Sequence, residues 1–136
     1  MPARGEGGSM ALELTIVTPA LLAVLLLVAA AGRVTSAKND VTSASAVAAR
    51  AGSLRQEPEA AMADAVSVAK ANLVQSGTGC ADRPDQVVDV SELLPGGRVV
   101  VTVTCRVSLA DLGLLGVPVT KSVVSKSVVV VDTRRS

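Results

Sequence analysis

A single carboxylate, Glu13, stands directly before a long uncharged apolar segment, and Pro19 interrupts that segment. An ionised carboxylate carried into hydrocarbon costs about 2.5 kcal/mol or more, so it has to stay at the interface, take up a proton or pair with a cation. A proline inside a helix removes one backbone hydrogen bond and crowds the preceding turn. Neither residue strengthens a simple membrane anchor, so both require a separate explanation.

The two cysteines, Cys80 and Cys105, offer a second kind of chemistry. Joined as a disulfide, they would close a loop whose lost entropy in the unfolded chain is worth about 3–4 kcal/mol. The alternative is two buried free thiols. A metal site needs more ligands than these two residues supply, because the chain has no histidine and no Cys-x-x-Cys pair. A disulfide would place the carboxy-terminal domain outside the cytoplasm.

The composition gives no indication of catalysis. Histidine, phenylalanine, tryptophan and tyrosine are all absent, so the commonest acid-base residue and the aromatic platforms for single-stranded nucleic acid are missing. A net charge of +1 does not favour a polyanionic partner either. We interpret four clustered acidic residues as a solvated rim: Asp82, Asp85, Asp89 and Glu92. We expect no catalytic residue, no cofactor, no metal, no nucleic-acid partner and no enzymatic activity.

The apolar segment, residues 14–32, contains 19 residues without a charge. As a helix it covers ~28 Å, close to the hydrocarbon thickness of a bilayer, so it can cross a membrane once. One interpretation is a cleaved secretory signal, since the alanines at 29–31 would suit a signal peptidase. Another is a generic single-pass anchor, which leaves Glu13 and Pro19 unexplained.

A third interpretation accounts for both residues. The stretch "GSMALE", from Gly8 to Glu13, resembles the processing site of type IV prepilins, in which a membrane peptidase cuts after a glycine and leaves glutamate as the fifth mature residue. With Pro19 shortly after the glutamate, the region of about residues 5–55 further resembles the TadE-like proteins of tight-adherence (Flp) pilus systems. Unlike the major Flp pilins, the chain has no tyrosine after the glutamate.

The resemblance implies cleavage between Gly8 and Ser9 by a prepilin peptidase. The new α-amino group of Ser9 would lie one helical turn from Glu13, and in a fibre the amine of a neighbouring subunit could pair with that carboxylate. Such a pair would fix the axial register, because a slipped helix would bury an unpaired charge. The implied partners are the membrane, the peptidase, other pilin-like subunits and the pilus assembly machinery.

Pro19 is expected to kink or stretch the membrane helix, since its nitrogen cannot donate to the carbonyl of Thr15. The alternative is that the proline is merely tolerated, with the hydroxyls of Thr15 and Thr18 satisfying the freed backbone groups.

Beyond residue 32 the pattern predicts that the membrane helix continues as an amphipathic one. Its narrow apolar stripe comprises Val34, Ala37, Val41, Ala44, Ala48, Ala51 and Leu54. The stripe can pack against its own domain, or it can let neighbouring subunits approach closely.

A second helix is predicted to begin at Pro58 and to stop at Gly77. Its predicted apolar stripe is Met62, Val66, Ala69 and Leu73. Extended segments follow. "QVVDVSEL" predicts a strand, the "PGG" at 95–97 a turn, and "RVVVTVTCRVSL" a strand whose buried face holds Val99, Val101, Val103, Cys105 and Val107. The last strand, "VTKSVVSKSVVVVDT", alternates imperfectly, which indicates a bulge or burial on both faces.

The sequence therefore predicts an α+β protein: a long membrane-spanning helix continuing into an amphipathic helix, a second helix, and an antiparallel sheet of about three strands. The predicted divisions are a leader peptide (1–8), a transmembrane helix (9–32) and an extracytoplasmic domain (33–136). The predicted function is a pilin-like minor subunit or assembly factor, anchored in the cytoplasmic membrane by one span, with a surface pilus as its second predicted location. The alternative is a secreted or signal-anchored small binding domain unrelated to pili.

Overall fold

The computed structural model describes residues 6–80, 83–110 and 119–134, with side chains from residue 10 onward. Two helices, α1 (Glu6–Ser53) and α2 (Pro58–Ser76), precede three strands, β1 (Asp85–Glu92), β2 (Arg98–Ser108) and β3 (Thr120–Val130). The strands form one antiparallel sheet in the order β1-β2-β3. Both helices lie against the sheet. The α+β architecture predicted from the sequence is confirmed.

Helix α1 runs for 48 residues, from the apolar segment into the folded domain, without a linker. Its carboxy-terminal half packs on α2, β2 and β3. The predicted stripe packs within its own domain, with Ala37, Val41, Ala44 and Ala48 all in the core. Leu54 was wrongly included, because it lies just past the end of α1 and is 73% exposed. Ser45 and Ala49 are buried beside the stripe and widen it.

Helix α2 begins at Pro58, and Gly77 caps its end with a φ of 72°, as predicted. The predicted buried face was partly wrong. Met62 is 44% exposed and Val66 is half-buried, whereas the buried residues are Ala61, Ala65, Ala69 and Leu73. The core therefore selects the row of alanines, one position away from the larger side chains.

The reason is the close approach of α1, α2 and the sheet around Gly52. A Cβ atom at Gly52 would lie 3.2 Å from a methyl group of Val99 and 3.4 Å from the carbonyl oxygen of Ala61. It would also lie 3.6 Å from the Cβ of Ala65. There is no room for a long side chain at this contact, so small residues line it on both helices.

The sheet is built around β2, whose predicted inner face is confirmed: Val99, Val101, Val103, Cys105 and Val107 are all buried. The turn between β1 and β2 contains Gly96, whose φ of 82° is the left-handed conformation that favours glycine. The pairing of β1 with β2 is irregular between Asp89 and Glu92.

Strand β3 contains neither the bulge nor the two-sided burial that its pattern indicated. It pairs with β2 in unbroken register from Arg98 opposite Val130 to Ser108 opposite Thr120. The alternation is imperfect because serines occupy inner-face positions, while Val124, Val128 and Val130 are exposed. The hydroxyl of buried Ser45 on α1 lies 2.8 Å from the hydroxyl of Ser127 and 3.2 Å from that of Ser125. These hydrogen bonds satisfy the polar groups between helix and sheet.

The corrected face of α2 gives the first prediction. Ala65→Leu should destabilise the folded domain by about 1–3 kcal/mol, because the added atoms have to displace the α1 contact at Gly52. Met62→Leu, a change of similar size at an exposed position, should cost much less. Thermal unfolding of the two full-length variants in detergent, beside the wild type, makes the comparison. If Met62→Leu proved as damaging as Ala65→Leu, the assignment of the buried face would be wrong.

Candidate assembly surface on the amino-terminal helix

The apolar segment of α1 is uncovered on every side. Leu21, Leu22, Val24 and Leu25 are each between 55% and 63% exposed, and these positions extend around more than one helical turn. No part of the described chain packs on them. By length and composition the helix can cross a membrane. Because a helix that is apolar all round needs lipid or other helices to cover it, the segment is a candidate membrane anchor.

Glu13 lies at the start of this surface and is exposed. Within the described residues, no side chain forms an ion pair with it. The backbone of Gly8 and Ser9 belongs to α1, whereas their side chains lie outside the described part of the structure. Ser9 is therefore about 6 Å along the helix axis from Glu13. The processing role of Gly8 and Ser9 and the register role of Glu13 stay predictions.

Pro19 lies inside α1, and the helix continues through it. Two threonines near the proline hydrogen-bond within their own helix: the hydroxyl of Thr15 donates to the carbonyl of Ala11, and that of Thr18 donates to the carbonyl of Leu14, each at 2.7 Å. Neither of these bonds involves the carbonyl of Thr15, which Pro19 leaves without its usual donor. The predicted kink stays a prediction.

Cys80 and Cys105 form a disulfide, the pairing that the sequence favoured. Cys105 is fully buried on the inner face of β2, and Cys80 lies in the segment after α2, where it also forms an isolated bridge with Val107. The bond therefore fastens the end of α2 to the sheet. It closes a loop of 25 residues in a domain whose core otherwise consists of alanine, valine and one leucine.

The predicted acidic rim lies on β1, where Asp85, Asp89 and Glu92 are exposed; Asp82 lies outside the described residues. Glu92 pairs with Arg98 at 2.9 Å. Hydrogen bonds from the side chain and the backbone N–H of Ser91 lower the pKa of Asp89, and Arg98 and Lys126 add to the effect. In the described part of the chain, no group of three or more metal-ligating side chains comes together.

The structure thus joins a long exposed apolar helix to a small α+β domain. This is the architecture of a protein whose amino-terminal helix has to be covered by lipid or by other helices. A family model described as TadE-like protein matches residues 8–50, which lie entirely within α1. The TadE-like resemblance is therefore confirmed over that range, which is about a third of the chain. No curated protein and no solved structure matches the chain.

The disulfide gives the second prediction. Replacing both Cys80 and Cys105 by alanine should lower the melting temperature of the full-length protein by more than about ten degrees, because the bond is worth ~3–4 kcal/mol and each kcal/mol shifts a domain of this size by several degrees. Reductant should lower the wild-type melting temperature similarly and leave the double variant unchanged. Equal melting of the oxidised wild type and the double variant would show that the bond has no structural role.

Proposed function

We propose that this protein is a pilin-like structural subunit or assembly factor of a tight-adherence pilus, and that it is not an enzyme. The observation that carries the proposal is the uncovered apolar segment of α1, which begins beside Glu13 and lies within the TadE-like match. When the protein is in a membrane, lipid covers this segment. When it is in a fibre, the same segments of neighbouring subunits cover one another. Assembly then exchanges lipid contacts for helix contacts.

The proposed first step is removal of residues 1–8 by a prepilin peptidase. A peptidase needs an extended substrate. Two adjacent glycines, Gly7 and Gly8, lie in the first turn of α1. Each glycine lowers helix stability by about 1 kcal/mol relative to alanine, so this end can unwind at little cost.

Cleavage after Gly8 would supply the cation that Glu13 lacks among the described residues. The amine of Ser9 lies one turn from its own Glu13, and it can reach the Glu13 of a neighbouring subunit in a fibre. The pair would allow the helix to enter an apolar fibre core, because each charge is buried only with its counter-charge. A slip by one turn would leave both unpaired, so the pair would also set the axial register.

The proposed topology places the folded domain outside the cytoplasm. The disulfide supports this side, because such bonds persist in oxidising compartments. The proposed partners are the membrane, the prepilin peptidase, other pilin-like subunits and the assembly machinery. No cofactor and no nucleic acid enters the proposal.

The third prediction tests Glu13 directly. Glu13→Gln keeps the shape of the side chain and removes its charge. It should leave leader cleavage and membrane insertion intact and should lower incorporation into the sheared pilus fraction, or piliation itself, at least about tenfold, since the unpaired amine costs ~3–5 kcal/mol. Glu59→Gln, which removes an exposed carboxylate on α2, is the matched control and should change neither quantity.

The measurement compares membrane-retained and surface-associated protein in cells that contain the rest of the pilus system. An ordinary anchor predicts the opposite result: loss of an ionisable group at the membrane boundary should be harmless or should strengthen insertion. Unchanged partitioning together with unchanged piliation in Glu13→Gln would remove the assembly role from this carboxylate.

A further inference from the structure

Both outer strands of the sheet have one unpaired edge among the described residues. β2 lies in the centre, so β1 and β3 each pair on one side only. α1 and α2 pack against the sheet, and no described strand continues it beyond β1 or β3. An edge of this kind presents a row of free N–H and C=O groups that can accept another strand.

The two edge strands carry opposite charges. β1 contains Asp85, Asp89 and Glu92 and no basic residue, whereas β3 contains Lys121 and Lys126 and no acidic residue. All five side chains belong to exposed residues. The β1 edge strand is therefore acidic and the β3 edge strand basic, with Glu92 paired to Arg98 of β2 in the same copy and Asp85 lacking such an ion pair among the described residues.

This separation decides which pairings between two copies are favourable. Pairing β1 with β1 would bring acidic residues together, and pairing β3 with β3 would bring lysines together. Like charges on neighbouring strands destabilise a sheet, and opposite charges stabilise it. Of the three possible pairings, only β1 with β3 is complementary.

Strand direction agrees with that pairing for copies that share one orientation. β1 and β3 are both antiparallel to β2, so they run in the same direction. When two copies have the same orientation, β1 of one lies parallel to β3 of the next. The contact joins two different edges, so a pair of copies keeps one acidic and one basic edge free for further copies.

We propose that the sheet is a self-association surface, in which the acidic β1 edge of one copy pairs with the basic β3 edge of a second copy. The exposed Val87 on β1 and Val124 on β3 flank the junction and lose part of their exposure when it forms. This association lies in the carboxy-terminal domain, outside the TadE-like match. It goes beyond the proposed pilus function and rests neither on cleavage at Gly8 nor on Glu13.

The fourth prediction is a cross-link between the two edges. Full-length protein labelled with light or heavy isotopes is mixed in membranes of a host that has no pilus system, and a carbodiimide then joins lysines to carboxylates in direct contact. Light-to-heavy peptides should join Lys121 or Lys126 to Asp85, Asp89 or Glu92. Absence of these light-to-heavy peptides would overturn the proposal. Peptides that join these lysines only to carboxylates outside β1 would also overturn it. A contact with a host protein in their place would also overturn it.

Charge reversal provides a second measurement. Lys121→Glu with Lys126→Glu, or Asp85→Lys with Asp89→Lys, should each lower the light-to-heavy dimer about tenfold, because attraction at the junction becomes repulsion. The dimer is detected with a photoreactive cross-linker that inserts into C–H bonds, because an amine-reactive reagent would lose half of its lysines in the first variant. Mixing the two double variants should restore the dimer, since the reversed β3 of one then meets the reversed β1 of the other.

Lys38→Glu with Lys70→Glu makes the same charge change on exposed helix positions and should leave the dimer at the wild-type level. Formation of the Cys80–Cys105 disulfide in every variant verifies folding. Equal dimer in the wild type and both double variants would overturn the edge pairing. Because the host has no pilus system, a negative result in this experiment would not bear on the role of Glu13. In the same way, an unchanged Glu13→Gln variant would not bear on the edge pairing.

Discussion

The main physical constraint on this protein is that the apolar segment of α1 has to be covered. Large side chains such as Leu21 and Leu25 are more than half exposed on all sides of that helix, and the described part of the chain has nothing to place over them. A membrane or other helices have to do so. The same helix continues without a break into the core of the folded domain. Whatever holds the segment therefore also fixes the position of the domain.

The folded domain accommodates this helix with small side chains. Alanines of α1 and α2 meet around Gly52, where even one added methyl group would contact Val99 closely. Close approach gives good packing, but alanine and valine bury little area per residue, so the hydrophobic contribution of each is small. The disulfide between Cys80 and Cys105 compensates by restricting the unfolded chain. The sheet adds charged edge strands, which provide the proposed surface for association with a second copy.

Prediction from the sequence succeeded where one pattern determined the outcome. The alternation of β2 indicated its buried face, and the spacing of Ala37 and Val41 indicated that of α1. Prediction of the buried face failed on α2, where alanines and larger apolar residues occupy adjacent faces of the helix. Only the close approach at Gly52 explains why Ala65 is buried and Met62 is exposed. The inward serines of β3 resembled a bulge because their partner, Ser45, is 80 or more residues away. The TadE-like resemblance came from three residues, Gly8, Glu13 and Pro19, and was confirmed over residues 8–50.

The most direct test of the central claim is the intact mass of the protein purified from its source membranes. Cleavage after Gly8 gives the mass of residues 9–136, in which the apolar segment is retained and Ser9 provides the new amino terminus beside Glu13. A chain that begins near residue 32 would mean that the segment is a cleaved secretory signal. A chain of all 136 residues would mean a plain anchor. Either result would contradict the account, because Glu13 would then have no paired amine on which assembly could depend.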